Sequence, residues 1–191
     1  MTMFRKVIYL FGFLFVFSQA EALSTKARYA FLMDATTNTV LYEKNAHRKM
    51  TPSSMSKLMT LYLTFERLKS GNMKLYDNIS VSTKAWRMTG SRMFISPNTF
   101  VSVENLLRGI IVQSGNDASV AIAEGIAGSE SDFVALMNAK AAELGLKNSH
   151  FANATGMPHR NHYMSAADIG YLSARIISDF PEYYYQLVVK L

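Results

Sequence analysis

The sequence predicts a mixed α/β chain of the α+β kind, with one hairpin near its start and helices after it. Three observations point there. Two short apolar stretches flank the turn residues Asp34-Ala35-Thr36-Thr37-Asn38, the pattern of a hairpin. Met55, Leu58, Met59, Tyr62, Phe65 and Leu68 then recur at helical spacing. Three further apolar segments downstream each begin at a polar capping residue.

Taken in order, Tyr29 to Met33 and Val40 to Lys44 are the two strands. Asn38 suits the left-handed position of the turn between them. The long helix follows Pro52 and stops at Gly71. Residues 72–100 read as turn-rich and mixed. Ser102 caps a helix through Val103, Leu106, Leu107, Ile110 and Ile111. Ser114-Gly115-Asn116-Asp117 interrupts it. Ala118 to Ile126 resumes as a helix, with Asp117 as its cap. Ser131 is read as the cap of the next helix, which Gly145 ends. Ser165-Ala166-Ala167-Asp168 reads as a capping box opening a last helix through Ile169, Leu172 and Ile176, before Pro181. An isolated two-stranded hairpin is marginal, so something must cover or extend it.

Composition narrows the function. Of 191 residues 49% are apolar and 18% charged, enough to bury a core and unlike a disordered tail or a coiled coil. Cysteine is absent, which excludes disulfides, a thiol nucleophile and thiolate zinc sites. The net charge of +6 comes from scattered basic residues, so no nucleic-acid stripe is expected. At the start, Arg5 and Lys6 precede an apolar run, Val7 to Phe17. That run is short of the roughly 20 residues a spanning helix needs. With the small residues after it, residues 1–22 read as a secretory signal peptide, cleaved after Ala20 or Ala22. The chain is therefore expected to be exported, with 23–191 as the folded part.

One pair of side chains can carry chemistry. Ser54 and Lys57 stand three apart at the start of the long helix, so the amine can reach the hydroxyl. A serine hydroxyl needs a base, and a lysine becomes one when desolvation or nearby positive charge lowers its pKa. The helix start adds backbone N–H groups that can stabilise an oxyanion. Roughly one such spacing arises by chance in a chain this long, and alone it reads as a capping serine beside a solvated lysine. Ser114-Gly115-Asn116 changes the weighing. A second hydroxyl can relay a proton, and an amide can hold a substrate amide with both donor and acceptor. His159 and His162 lie three apart. With Pro158 just before them and no third ligand nearby, they read as a surface loop rather than a metal site.

Here the chain resembles the serine D-alanyl-D-alanine carboxypeptidases, the low-molecular-weight penicillin-binding proteins. The resemblance runs from about Tyr29 to Tyr184. Pro52-Ser53-Ser54-Met55-Ser56-Lys57-Leu58-Met59-Thr60 resembles the nucleophile segment, with Ser53 and Ser56 where alanine and threonine are usual. Gly90-Ser91-Arg92-Met93-Phe94 is similar to a loop leading to the site. Val103-Glu104-Asn105-Leu106-Leu107 through Ser114-Gly115-Asn116-Asp117-Ala118 matches closely. Phe151-Ala152-Asn153, Gly156-Met157, His162-Tyr163-Met164-Ser165-Ala166-Ala167-Asp168 and Phe180-Pro181-Glu182-Tyr183-Tyr184 follow in family order. The resemblance implies a β-lactamase/transpeptidase-like fold. It implies Ser54 as nucleophile, Lys57 as acylation base, Ser114 as proton relay to the leaving amine and Asn116 as substrate-amide holder. The implied substrate is a peptidoglycan pentapeptide, the inhibitors are β-lactams acting on the same serine, and neither cofactor nor metal is called for. A class A β-lactamase would use a deacylating Glu-x-x-Leu-Asn, which does not occur here.

The third family motif, Lys-Thr-Gly or Lys-Ser-Gly following Ser-Gly-Asn, is not found either: no Lys-Thr-Gly occurs, and Lys69-Ser70-Gly71 stands where the long helix stops, ahead of Ser114-Gly115-Asn116. By resemblance it would bring further sheet strands, a second oxyanion donor and the substrate-carboxylate groups. A second β domain and an amphipathic C-terminal anchor, the route to a membrane surface, would follow. The expectation is therefore the first part of a carboxypeptidase: a fragment, an interrupted gene product or half of a split protein. Alone it is expected to be a poor enzyme, and a non-catalytic remnant is the alternative reading.

Overall fold

The computed structural model describes residues 23–189; the expected signal peptide and its two cleavage points lie outside them. The hairpin forms as β1 (Ala30–Met33) and β2 (Val40–Lys44), antiparallel, with Ala30 opposite Lys44 and Leu32 opposite Tyr42. In its turn the Asp34 carboxylate accepts the Thr36 and Thr37 N–H groups, and Asn38 takes the left-handed conformation at φ 57°. A 3₁₀ turn (Ser53–Ser56) leads into α1 (Lys57–Lys69). The mixed stretch resolves into β3 (Asn78–Ser80), α2 (Thr83–Trp86) and β4 (Phe100–Ser102), with β3 and β4 forming a second antiparallel pair. Then come α3 (Val103–Gln113), α4 (Asn116–Ala127), α5 (Glu130–Glu143) and α6 (Ala166–Asp179). Past Pro181 the chain stays helical through α7 (Pro181–Tyr184) and a π turn (Tyr185–Val189).

Two helices form the centre. Every residue of α4 from Asn116 to Ala123 is buried, which its small side chains permit, and α1 is buried nearly all round. The spacing of α1 suggested one apolar face. The structure also buries Thr60, Leu61, Leu63 and Thr64, so α1 is a core helix rather than a surface one. Phe65, Phe133, Phe151, Met59, Leu106 and Ile122 fill the interior. The face of β1 is covered by α6, where the Phe31 and Tyr171 rings meet at 5.1 Å.

Two expected caps are corrected. Ser129, not Ser131, caps α5, because its hydroxyl accepts the Asp132 N–H three residues on. Asp117 is not the cap of α4. Gly115 holds that position, the helix begins at Asn116, and the Asp117 carboxylate turns to a neighbouring loop. Ser165 does cap α6 through the Asp168 N–H, but the Asp168 carboxylate bonds Asn148 N–H and Ser149 Oγ, so only half of the box closes there. The segment before α6 is stitched down by two isolated bridges, Met50 with Met164 and His150 with Tyr163. They carry residues 150–164 behind the turn at Ser53–Ser56. Among the described residues no helix is long and apolar enough to cross a membrane.

Candidate active site

Ser54 is exposed on the 3₁₀ turn, and Lys57, the first residue of α1, is buried at 3% exposure. The Lys57 Nζ donates to Ser54 Oγ at 3.1 Å, to Asn116 Oδ1 at 2.8 Å and to the Thr155 carbonyl at 2.7 Å. All three acceptors are uncharged, and burial lowers its pKa from 10.5 to about 8. Three hydrogens on an ammonium match three acceptors. A neutral amine keeps two hydrogens for the two shorter contacts and leaves its lone pair facing the Ser54 hydroxyl.

Two of the partners, the Thr155 carbonyl and Asn116, are themselves held. Asn153 Oδ1 accepts the N–H groups of Thr155, Gly156 and Met157, and this tight turn aims the Thr155 carbonyl at Lys57. The Asn116 amide nitrogen donates to the Thr89 carbonyl at 2.7 Å and lies 3.8 Å from the Met157 sulfur. Asp117 next to it accepts the N–H groups of Met93, Phe94 and Ile95, so the loop of Gly90 to Phe94 is clamped to the first turn of α4. Ser114, at φ 52° between α3 and α4, lines the same cavity of about 520 Å³ as Ser54 and Lys57. That cavity continues into an apolar region of Leu58, Leu61 and Ile110.

The structure thus brings Ser54, Lys57 and Asn116 into one network and sets Ser114 on its rim. It adds roles that the sequence reading does not assign: Thr155 contributes a backbone carbonyl, Asn153 shapes the turn behind it, and Asp117 holds a loop. His162 corrects the surface-loop reading. His159 is exposed as expected, but His162 is 3% exposed and its Nε2 lies 2.7 Å from Ser56 Oγ. Burial, with the nearby His159 and His150, lowers its pKa to about 4. Among the described residues six non-glycine positions have positive φ; three are asparagines, and the other three are Ser53, Phe94 and Ser114, all in the segments around the site. Such backbone costs of order 1 kcal/mol or more and persists where surroundings over-determine it. Among the described residues no cluster of His, Asp and Glu could hold a metal ion.

This mixed α/β arrangement, with the serine–lysine pair opening a buried helix, is that of the penicillin-binding proteins. The structure superposes on penicillin binding protein 5 of Haemophilus influenzae with a TM-score of 0.83 at 38% identity, covering 85% of this chain and 48% of that one. The D-alanyl-D-alanine carboxypeptidase DacD of Francisella tularensis gives the same TM-score and identity, over 85% of this chain and 39% of that one. In sequence, the chain is 44% identical over 159 residues to the D-alanyl-D-alanine carboxypeptidase DacF of Bacillus subtilis, covering 83% of this chain and 41% of that protein. The family pattern of Peptidase_S11, D-alanyl-D-alanine carboxypeptidase, matches residues 16–189, and the chain belongs to that family. It spans less than half the length of these curated relatives, among them DacC of Escherichia coli at 47%.

Proposed function

We propose that this chain carries the acylation machinery of a serine-type D-Ala-D-Ala carboxypeptidase. The observation that carries the reading is the buried Lys57, held by two neutral oxygens with its remaining valence toward Ser54 Oγ. Ser54 Oγ attacks the carbonyl of the penultimate D-alanine while its proton passes to the Lys57 amine. The backbone N–H of Ser54 supplies one donor to the oxyanion. As the tetrahedral centre collapses, the C–N bond breaks, Ser114 passes a proton to the leaving amine, and D-alanine departs. Water then hydrolyses the ester on Ser54, leaving a shortened stem peptide. Asn116 orients Lys57 and offers its second amide hydrogen to a substrate carbonyl. The substrate is a peptidoglycan stem pentapeptide, and a β-lactam opens on the same serine. With that substrate goes export: the reading includes removal of residues 1–22 as a signal peptide and work in the periplasm or on the outer face of the cytoplasmic membrane.

The test is fluorescent-penicillin labelling of the full-length protein as its gene encodes it, beside its Ser54→Ala variant. Covalent label on Ser54 that the variant loses is the expected result. Undiminished labelling of the variant, or an unlabelled wild type, would overturn the reading.

A further inference from the structure

The buried His162 has a hydrogen-bond pattern that fixes where its proton sits. The backbone N–H of Ala152 donates to Nδ1 at 3.2 Å. A backbone amide can only donate, so Nδ1 is the acceptor and the neutral ring carries its hydrogen on Nε2. That hydrogen points at Ser56 Oγ, 2.7 Å away. Ser56 therefore accepts from the ring and turns its own hydrogen to the Ser53 carbonyl at 2.9 Å. The direction of every bond in the chain from Ala152 through His162 and Ser56 to Ser53 is thereby set. A second proton on the ring would face the Ala152 N–H, in keeping with the strongly lowered pKa.

The end of this chain is the residue before Ser54. Ser53 holds φ 51°, a left-handed conformation unfavourable for a side-chain-bearing residue. Its carbonyl is confined from the other side by Gly156, at φ 87°, where any Cβ would overlap the Ser53 oxygen. The Ser53 peptide is thus caught between the 153–157 turn and the hydroxyl of Ser56. Phe151 closes the cage, its ring set edge-on against His162 at 5.7 Å.

We propose that His162 is a positioning residue for the reaction at Ser54: protonated on Nε2, it holds Ser56, and through Ser56 the strained Ser53 peptide, so that the turn presents Ser54 Oγ to Lys57. The inference rests on the reading of Ser54 as nucleophile. It predicts that two replacements of the same ring separate its two bonds. Asparagine in His162→Asn can place an oxygen where Nδ1 stands and still accept from Ala152, but it cannot reach Ser56. Glutamine in His162→Gln can reach the Nε2 position and donate to Ser56.

The experiment measures penicillin acylation of the full-length protein, resolving initial binding from the covalent step. His162→Asn should lose about ten- to a hundredfold in the covalent step, the scale of a misplaced nucleophile, with initial binding little changed. His162→Gln should acylate about tenfold faster than His162→Asn. Ser56→Ala should fall as His162→Asn does, Ser56→Thr should recover most of the rate, and Ser56→Ala with His162→Asn should be no slower than either alone, since both break one path. Long-range proton–nitrogen correlation spectra should place the His162 hydrogen on Nε2. Equal rates for the Asn and Gln variants, a wild-type rate for Ser56→Ala, or a hydrogen on Nδ1 would overturn the inference while leaving labelling of Ser54 intact. A wild type that does not acylate would instead bring down the functional reading, and this one with it. If His162→Asn fails to fold, the two Ser56 variants and the spectra decide.

Discussion

Lys57 and Lys140 are both largely withdrawn from water, at 3% residue and 11% side-chain exposure, and their surroundings send them opposite ways. Lys140 bridges Glu66 at 2.7 Å and Glu143 at 2.6 Å. Desolvation alone would lower its pKa, but the bonds and charges of those two carboxylates outweigh it and the pKa is raised. Lys57 has no carboxylate among its partners, only a hydroxyl, an amide oxygen and a backbone carbonyl, and desolvation lowers its pKa to about 8. Burial by itself does not make a lysine a base. Burial among neutral acceptors lowers its pKa, because they satisfy its hydrogens without stabilising its charge.

The sharpest way to break this contrast is Lys57→Arg, which keeps the charge and cannot deprotonate. Its acylation rate should fall by about a hundred- to ten-thousandfold, the range of lost general-base catalysis, as followed by fluorescent-penicillin incorporation over time. Wild-type rates in this variant would mean that Lys57 acts by charge.

The next effect is on stability against pH. The folded pKa of Lys57 lies below its unfolded value, so the fold disfavours the charged form. The cost is fully present below about pH 8 and is relieved as pH rises from about 8 toward 10.5. Over that window Lys57 should add on the order of 3 kcal/mol of stability, and Lys57→Met should flatten the rise. Lys140 has the opposite sign: its contribution is present below 10.5 and is lost as pH climbs through its raised folded pKa. Urea unfolding at a series of pH values reads both slopes, and a Lys57→Met curve parallel to wild type would remove the argument.

A subtler change converts one site into the other. Asn116→Asp puts a carboxylate where an amide oxygen now lies 2.8 Å from Nζ. The Lys57 pKa should then rise by at least about one unit, the acylation pH profile should move up with it, and the rate at pH 7 should drop about tenfold or more. An unmoved profile would show that the neutral acceptor set is irrelevant. The smallest expected effect is that of Lys140→Met. It should cost about 1 kcal/mol, since both glutamates remain partly exposed to solvent, and leave acylation as it was. Chemical denaturation together with the labelling assay checks this.

What could be read from the chain were relations within a few residues. The hairpin was legible because its turn chemistry is local. The longer helices are legible from apolar spacing and caps, whereas α2 and α7 are not, and Ser131 reads as the cap that Ser129 provides because two serines stand two apart with an apolar run beyond both. Ser54 and Lys57 were legible because one helical turn brings positions three apart together whatever else the chain does. Membership of the family followed from many such local motifs standing in order.

The tertiary structure alone decided the rest. The Thr155 carbonyl reaches Lys57 across 98 positions of sequence, and His162 reaches Ser56 across 106. A backbone carbonyl leaves no mark in a sequence, since every residue has one. His162 stands in a stretch of Pro, Arg and Asn that reads as surface, and the bridges from Met50 to Met164 and from His150 to Tyr163 lie beside it in the fold, where the ring meets Ser56, Ala152 and Phe151. Asp117 reads as a helix cap from its neighbours in sequence, but it stands inside the first turn of α4, and three consecutive N–H groups 22 to 24 positions earlier are what its carboxylate accepts. Local spacing therefore brings Ser54 and Lys57 together and no more. Whether Lys57 is a solvated cation or a buried base depended on long-range packing, because a pKa answers to the dielectric and the charges around a group, and those are set by whatever the fold brings near.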